Sequence, residues 1–302
     1  MTENRNLNLI SHIRPLHLMT LIVLYGLGVG FARYLGERIE LVSLSLGLMW
    51  LLSISLGLNF LSDYFQTPFD RGLVKLDNEN GESPAKGSDD RNEILLYISA
   101  ACLAGGAFLT VMLGISGFLT LSITLISGLF FILYSLLIIP GVSLDLSGIG
   151  EFITSIVLVV LPPAFAYLLQ AGDFHRFLYL GIFPLFPLHL AMVLILRLRT
   201  YPADIIIKRK TLLVRVGWPR GVFLHNLLIL SGFLLFGVAL FFGMPYRLVI
   251  PVFLALPAAG YLIWYLSKLQ DGAPVRWPLI SLLSFIVFFL PVYLIAFTAW
   301  IR

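Results

Sequence analysis

The chain reads as an all-α protein: a polytopic membrane bundle of nine transmembrane helices forming one integral domain over residues 1–302. Three observations carry that reading. The 302 residues are 59% hydrophobic and only 12% charged, with mean hydropathy +0.96, whereas a soluble domain carries about 25% charged residues. Apolar runs of about 20 residues, each long enough to cross a bilayer as a helix, recur along the whole length. Polar residues are concentrated instead in two clusters, LNFLSDYFQTPFDRG from Leu58 to Gly72 and LRLRTYPADIIIKRKTLLVRVG from Leu196 to Gly217.

Taken in order, span 1 (15–36) follows the polar segment MTENRNLNLISHIRPLH, which has no short apolar core ending in a small-residue cleavage site and does not read as a cleavable leader. Span 2 (41–62) runs into the first cluster. Span 3 (94–115) holds Cys102, the one cysteine, which excludes an intrachain disulfide and a multi-cysteine metal site. It also holds Gly105 and Gly106, small residues that let helices approach closely. Span 4 (117–139) leads to span 5 (149–171), where Glu151 places a negative charge at a helix start. Span 6 (177–199) runs into the second cluster, and spans 7 to 9 cover 221–243, 246–267 and 277–300. His17 and His189 stand in or near apolar spans without a partner at metal-ligand spacing, so they read as helix-packing hydrogen bonds. The 24 Phe and 12 Tyr read mainly as packing.

With nine spans, the loops after even spans share a side with the N-terminus, and both clusters follow even spans. Of the 20 Lys and Arg, those outside Arg33, Arg38, Arg176, Arg247 and Arg302 all fall on that side. The positive-inside rule makes it cytoplasmic. The formal net charge of +4 then belongs to loops lying against anionic lipid, and nucleic acid is not an expected partner. The stretches 63–93 and 200–220 read as cytoplasmic loops over the site. The first carries Asp63, Asp70, Asp77, Glu79, Glu82, Asp89, Asp90 and Glu93. Long loops at the mouth of a bundle often serve as lids or binding elements.

Within the first cluster, Asn59, Asp63, Gln66 and Asp70 share one helical face, so both carboxylates point in one direction, as Mg²⁺ binding requires. Pro68 is expected to end or kink the helix, turning Asp70 back toward Asp63. In the second cluster Thr200 and Asp204 stand at i, i+4, followed by Lys208, Arg209, Lys210 and Arg215, with Pro202 again expected to stop the helix. If the clusters face each other they make a pocket suited to a metal and a phosphate. The plainer readings are a solvated helix end for the first and a topology anchor for the second.

At these residues the chain resembles the UbiA superfamily of intramembrane aromatic prenyltransferases, most of all its menaquinone-pathway branch, which prenylates dihydroxynaphthoate. HIRPLHL (His12–Leu18) is similar to the Arg-Pro start of the family's first helix. SDYFQTPFD (Ser62–Asp70) aligns with the motif NDxxDxxxD. YSLLIIPGVSLDLSGIGE (Tyr134–Glu151) resembles the tyrosine-bearing helix end and the Gly-x-Gly-Glu opening of the next. RTYPADIIIKRKTLLVRVG (Arg199–Gly217) resembles RDxxxD followed by GKRTLxxxxG. The family also has nine transmembrane helices.

The resemblance implies transfer of an isoprenoid group from a prenyl diphosphate to an aromatic or other lipophilic acceptor, in quinone or lipid biosynthesis, with Mg²⁺ as cofactor. It implies Asp63, Asp70 and Asp204 as catalytic metal ligands. Asn59, Gln66, Arg199, Lys208, Arg209 and Lys210 would serve the diphosphate, and Glu151 would join the site. The motifs are degenerate: Ser62, Gln66 and Thr200 stand where the family has Asn, Asp and Asp, and no Lys or Arg occurs between Arg91 and Arg176. Gln66 and Thr200 offer oxygen without charge, so Mg²⁺ should bind more weakly. The alternative is a non-catalytic relative that binds an isoprenoid lipid or serves as a subunit of a membrane complex. A transporter would call for inverted repeats and mid-membrane breaks, whereas the clusters sit at the membrane face.

Overall fold

Among the described residues of the computed structural model, which are 14–77, 87–139, 148–206, 211–270 and 274–301, nine helices are long and apolar enough to cross a membrane. Over 66–77 and 87–92, the backbone alone is described. In chain order the helices are α1 (Pro15–Tyr34), α2 (Leu41–Asp77), α3 (Gly87–Ile115), α4 (Leu121–Ile138), α5 (Gly150–Ala171) and α6 (Arg176–Ile206). A short α7 (Leu212–Val216) is followed by α8 (Trp218–Phe241), α9 (Tyr246–Leu269) and α10 (Trp277–Ile301). All nine expected spans are present.

The helices are not equally enclosed. In the most apolar stretch of α5 and of α6, 72% of residues are buried, against 17% in α3 and 28% in α4. α1 packs on α5 and α10, α8 and α10 pack on α6, and α2 lies along α3. Thus α1, α5 and α6 form the interior, and α3 is an outer helix.

Lipid supplies no hydrophobic drive between helices, so close approach and interhelical hydrogen bonds hold them together. At the α2–α3 seam, Ser53 Oγ donates to the Cys102 carbonyl (2.7 Å), Ser99 Oγ to the Gly57 carbonyl (2.8 Å), and Trp50 Nε1 to Thr110 Oγ1 (2.8 Å). A Cβ on Gly106 would strike Ile54, so this glycine permits packing, as its sequence suggested. The tightest approach joins α1 to α5: a Cβ on Gly28 would run into the backbone carbonyl of Pro163.

Several helices are locally modified where proline removes a backbone donor. In α5, Pro162 and Pro163 follow a π-helical turn over Ile156–Val160, whose last bond runs from Leu161 N–H to the Ile156 carbonyl. Such a wide turn reroutes the ladder just before the prolines. α6 breaks at Phe183–Pro184, and α9 tightens to a 3₁₀ segment over Ile250–Ala255, which has Pro251 in its first turn.

Two expected stops are not stops. α2 continues through Pro68 to Asp77, and α6 continues through Pro202 to Ile206. A proline forfeits one bond and crowds the carbonyl four residues back, at about 3 kcal/mol, which packing can offset. For α6 that packing is visible: Leu198 and Asp204, on either side of Pro202, are both buried. Consequently much of 63–93 and 200–220, read from sequence as loop, is helix.

Gly28→Ala should therefore destabilise the bundle by about 1–3 kcal/mol through overpacking. Gly26→Ala, on a face with nothing within reach of the new Cβ, should leave stability nearly unchanged. Thermal unfolding of the two variants in one detergent checks the contrast.

Candidate functional site

Where α1 begins and α6 ends, the interior helices enclose a cavity of about 390 Å³. Arg14, His17 and Thr20 line it at i, i+3 and i+6 around the start of α1, with Leu16 beside them. Glu151, Thr154, Val157 and Leu158 come from α5, and His189, Met192, Val193, Leu196, Arg197 and Thr200 from α6. Ser62 of α2 and Tyr134, Leu137 and Ile138 of α4 complete it. On each helix the spacing is that of one helical face. The π turn contributes two of these residues, Val157 and Leu158.

Arg14 sits just before the helical proline Pro15, in the left-handed backbone region (φ 47, ψ 66). It is the one non-glycine residue with positive φ among those described. Proline disfavours αR for the residue before it, and a left-handed non-glycine residue is a mild strain. From there Nη2 donates to Ser62 Oγ (2.9 Å) and meets Asp63 Oδ1 at 3.3 Å. Arg14 thus carries a positive charge on the cavity wall and keeps Asp63 beside it.

Across the cavity, Arg197, Thr200 and Asp204 stand at i, i+3 and i+7 on α6. Thr200 Oγ1 donates to Asp204 Oδ2 (3.2 Å). Asp204 is buried, behind the Thr200 that lines the cavity. Glu151, whose side chain is 0% exposed, accepts from the Leu212 N–H (3.3 Å) and lies 3.9 Å from Arg197 Nε. That carboxylate ties α5 to α6 and to the start of α7. On the α4 side, Tyr134 OH donates to Asn59 Oδ1 (2.7 Å), so Asn59 is buried and acts on the cavity through Tyr134.

The expected site residues therefore separate. Asp63 and Asp204 each lie one hydrogen bond behind a cavity-lining residue, Arg14 and Thr200 respectively. Arg199 is exposed and does not line the cavity. The side chains of Gln66 and Asp70, and all of Lys208, Arg209 and Lys210, lie outside the described residues. Sequence reasoning passed over Arg197 in favour of Arg199, although helical spacing from Thr200 and Asp204 selects Arg197. Arg14 was noted only as part of a motif, and Tyr134 likewise.

Mg²⁺ takes hard oxygens and is commonly held by one or two carboxylates, with substrate phosphate and water completing six ligands. Asp63, Asp204 and Thr200 carry oxygen donors of that kind. Among the described residues no group of three His, Cys, Asp or Glu stands close enough to hold a metal alone.

No protein-family model matches the chain, and no curated protein does either. Among solved structures, it is similar to that of a digeranylgeranylglyceryl phosphate synthase in membranes, with a TM-score of 0.62 at 12% identity, over 95% of this chain and 94% of that one. At that identity the likeness speaks to the fold alone: the nine membrane-length helices among the described residues share the arrangement of that synthase.

Proposed function

We propose that the protein is a UbiA-type intramembrane prenyltransferase, moving an isoprenoid group from a prenyl diphosphate to a lipophilic acceptor. The observation that carries this reading is the cavity itself, with two guanidinium groups, Arg14 and Arg197, and an apolar wall of Leu137, Ile138, Val157, Leu158, Met192, Val193 and Leu196. A prenyl diphosphate has those two ends. The resemblance to the menaquinone branch suggests an aromatic acceptor in quinone synthesis, and the positive-inside bias puts the cavity mouth in the cytoplasm.

Arg14 and Arg197 hold the diphosphate and stabilise the charge that gathers on it as the allylic carbon–oxygen bond breaks. Asp63, Asp70 and Asp204 would hold Mg²⁺, with Gln66 and Thr200 as neutral donors, and the ion would add to the neutralisation of the same group. Lys208, Arg209 and Lys210 belong to this charge field. The aliphatic wall keeps water from the allylic cation and holds it near the acceptor. Tyr134, fixed by Asn59, borders the same space.

The second reading, a non-catalytic isoprenoid-lipid binder or complex subunit, is favoured by one observation. Arg14 pairs with Asp63 at 3.3 Å and balances its charge from within the protein itself. A site rebuilt for a neutral lipid would keep such a pair closed.

For the enzyme, Asp63→Ala and Asp204→Ala should each lower prenyl transfer in vesicles by at least about 100-fold, the scale for losing one charge-stabilising group. Melting temperatures should stay close to that of the parent. Near-normal turnover in either variant would remove that residue from the mechanism.

A double substitution separates the two readings. Gln66→Asp with Thr200→Asp restores two carboxylates near Asp63 and Asp204. In an enzyme with a weakened metal site it should raise the melting temperature in Mg²⁺ and tighten prenyl diphosphate binding by roughly tenfold or more. In a neutral-lipid site the added acids repel one another and destabilise the bundle whether or not Mg²⁺ is present.

A further inference from the structure

His189 is among the polar residues of the cavity that have no part in the scheme above. It is 1% exposed, on the interior helix α6, eight residues and roughly 12 Å of helix before Arg197. An ionisable residue at membrane depth is costly and marks a functional site by default. Its ring is oriented by two neighbours. Nδ1 lies 3.0 Å from Ser155 Oγ, and the ring meets Phe288 edge-on at 4.9 Å between centroids.

The hydrogen-bond chain selects the tautomer. A serine hydroxyl has one proton to give. Ser155 gives it to the Glu151 carbonyl one turn back, at 2.9 Å. With the serine proton assigned to that carbonyl, the serine oxygen accepts from Nδ1–H and Nε2 keeps a lone pair. The imidazole is thus a fixed acceptor in a cavity whose adjoining polar groups from α1 are His17 and Thr20, with Thr154 from α5. The charged cavity residues Arg14, Glu151 and Arg197 belong to the diphosphate end.

We propose that His189 Nε2 binds a hydroxyl group of the acceptor, making this residue the one that recognises an O–H on the second substrate. The reaction part of the proposal rests on the prenyl-transfer reading. There, the allylic carbon–oxygen bond breaks with its electron pair leaving on diphosphate. An electron pair of the acceptor forms the new bond to that carbon, and the hydroxyl proton passes to Nε2. Ser155 is a positioning residue, holding the tautomer that leaves Nε2 able to receive it.

Binding can be tested without turnover. The full-length protein in nanodiscs is titrated with 2-naphthol and with its methyl ether, which has the same ring and no O–H, and separately with geranylgeranyl diphosphate and Mg²⁺. The parent protein should prefer naphthol by roughly tenfold, the size of one net hydrogen bond. His189→Phe should abolish that preference while leaving prenyl diphosphate affinity unchanged, and His189→Gln, which still offers an oxygen acceptor, should retain part of it. Equal binding of naphthol and ether to the parent overturns the proposal even if His189→Phe fails to fold. A preference that survives in His189→Phe overturns it as well. Naphthol selectivity that depends on His189 in a protein indifferent to the prenyl diphosphate would support the hydroxyl site and defeat the prenyl-transfer reading.

Discussion

The constraint on which the rest of this structure depends is that polar groups enclosed by an apolar bundle need partners. The chain has few such groups, and those around the cavity are largely paired across helices. Arg14 joins α1 to Ser62 and Asp63 of α2, Tyr134 joins α4 to Asn59, His189 joins α6 to Ser155 of α5, and Glu151 joins α5 to Arg197 and α7. These links converge on one cavity. The contacts that locate the helices are therefore the same contacts that build the site, and α3, which supplies none of the cavity wall, is the least enclosed span.

Proline shapes the cavity from the other direction. Pro162 and Pro163 withhold two amide hydrogens from the α5 ladder, and the π turn before them widens the helix at Val157 and Leu158, which line the cavity. Pro163 then offers its backbone to Gly28, so α1 and α5 meet almost backbone to backbone. That approach brings the face carrying Arg14, His17 and Thr20 over the face carrying Glu151 and Thr154. A side chain at Gly28 would separate the two walls.

The charge arrangement has two layers. Arg14 and Thr200 line the cavity, and Asp63 and Asp204 stand behind them. A cation and an alcohol thus meet the ligand first. In the proposed enzyme a diphosphate would attract Arg14 and so release Asp63 to bind a cation brought with it. The same two residues can hold the pair closed around a neutral lipid. Arg14 is thus the residue on which the enzyme and binding readings divide, and its left-handed backbone sets where its guanidinium reaches.

Much of the architecture was legible in the sequence because hydropathy is a local property. Each span is written in its own residues, and so is the one-turn spacing that places Thr200 against Asp204. Local rules for proline were less reliable: the helices continue through both Pro68 and Pro202, and at Pro202 the loss of one bond was outweighed by burial of Leu198 and Asp204. The identity of the cavity wall was not legible. Arg14 and Ser62 are 48 residues apart, and Tyr134 and Asn59 are 75 apart. Nothing in either segment names its partner, because a side chain's neighbours across a bundle depend on how all the helices rotate and pack. The sequence by itself determined a nine-helix membrane protein with two charged clusters at one end. Tertiary structure decided that Arg197 rather than Arg199 faces the interior, that the two acids stand behind Arg14 and Thr200, and that a histidine passed over as packing lines the cavity. Those choices follow from burying polar groups only where another helix can satisfy them.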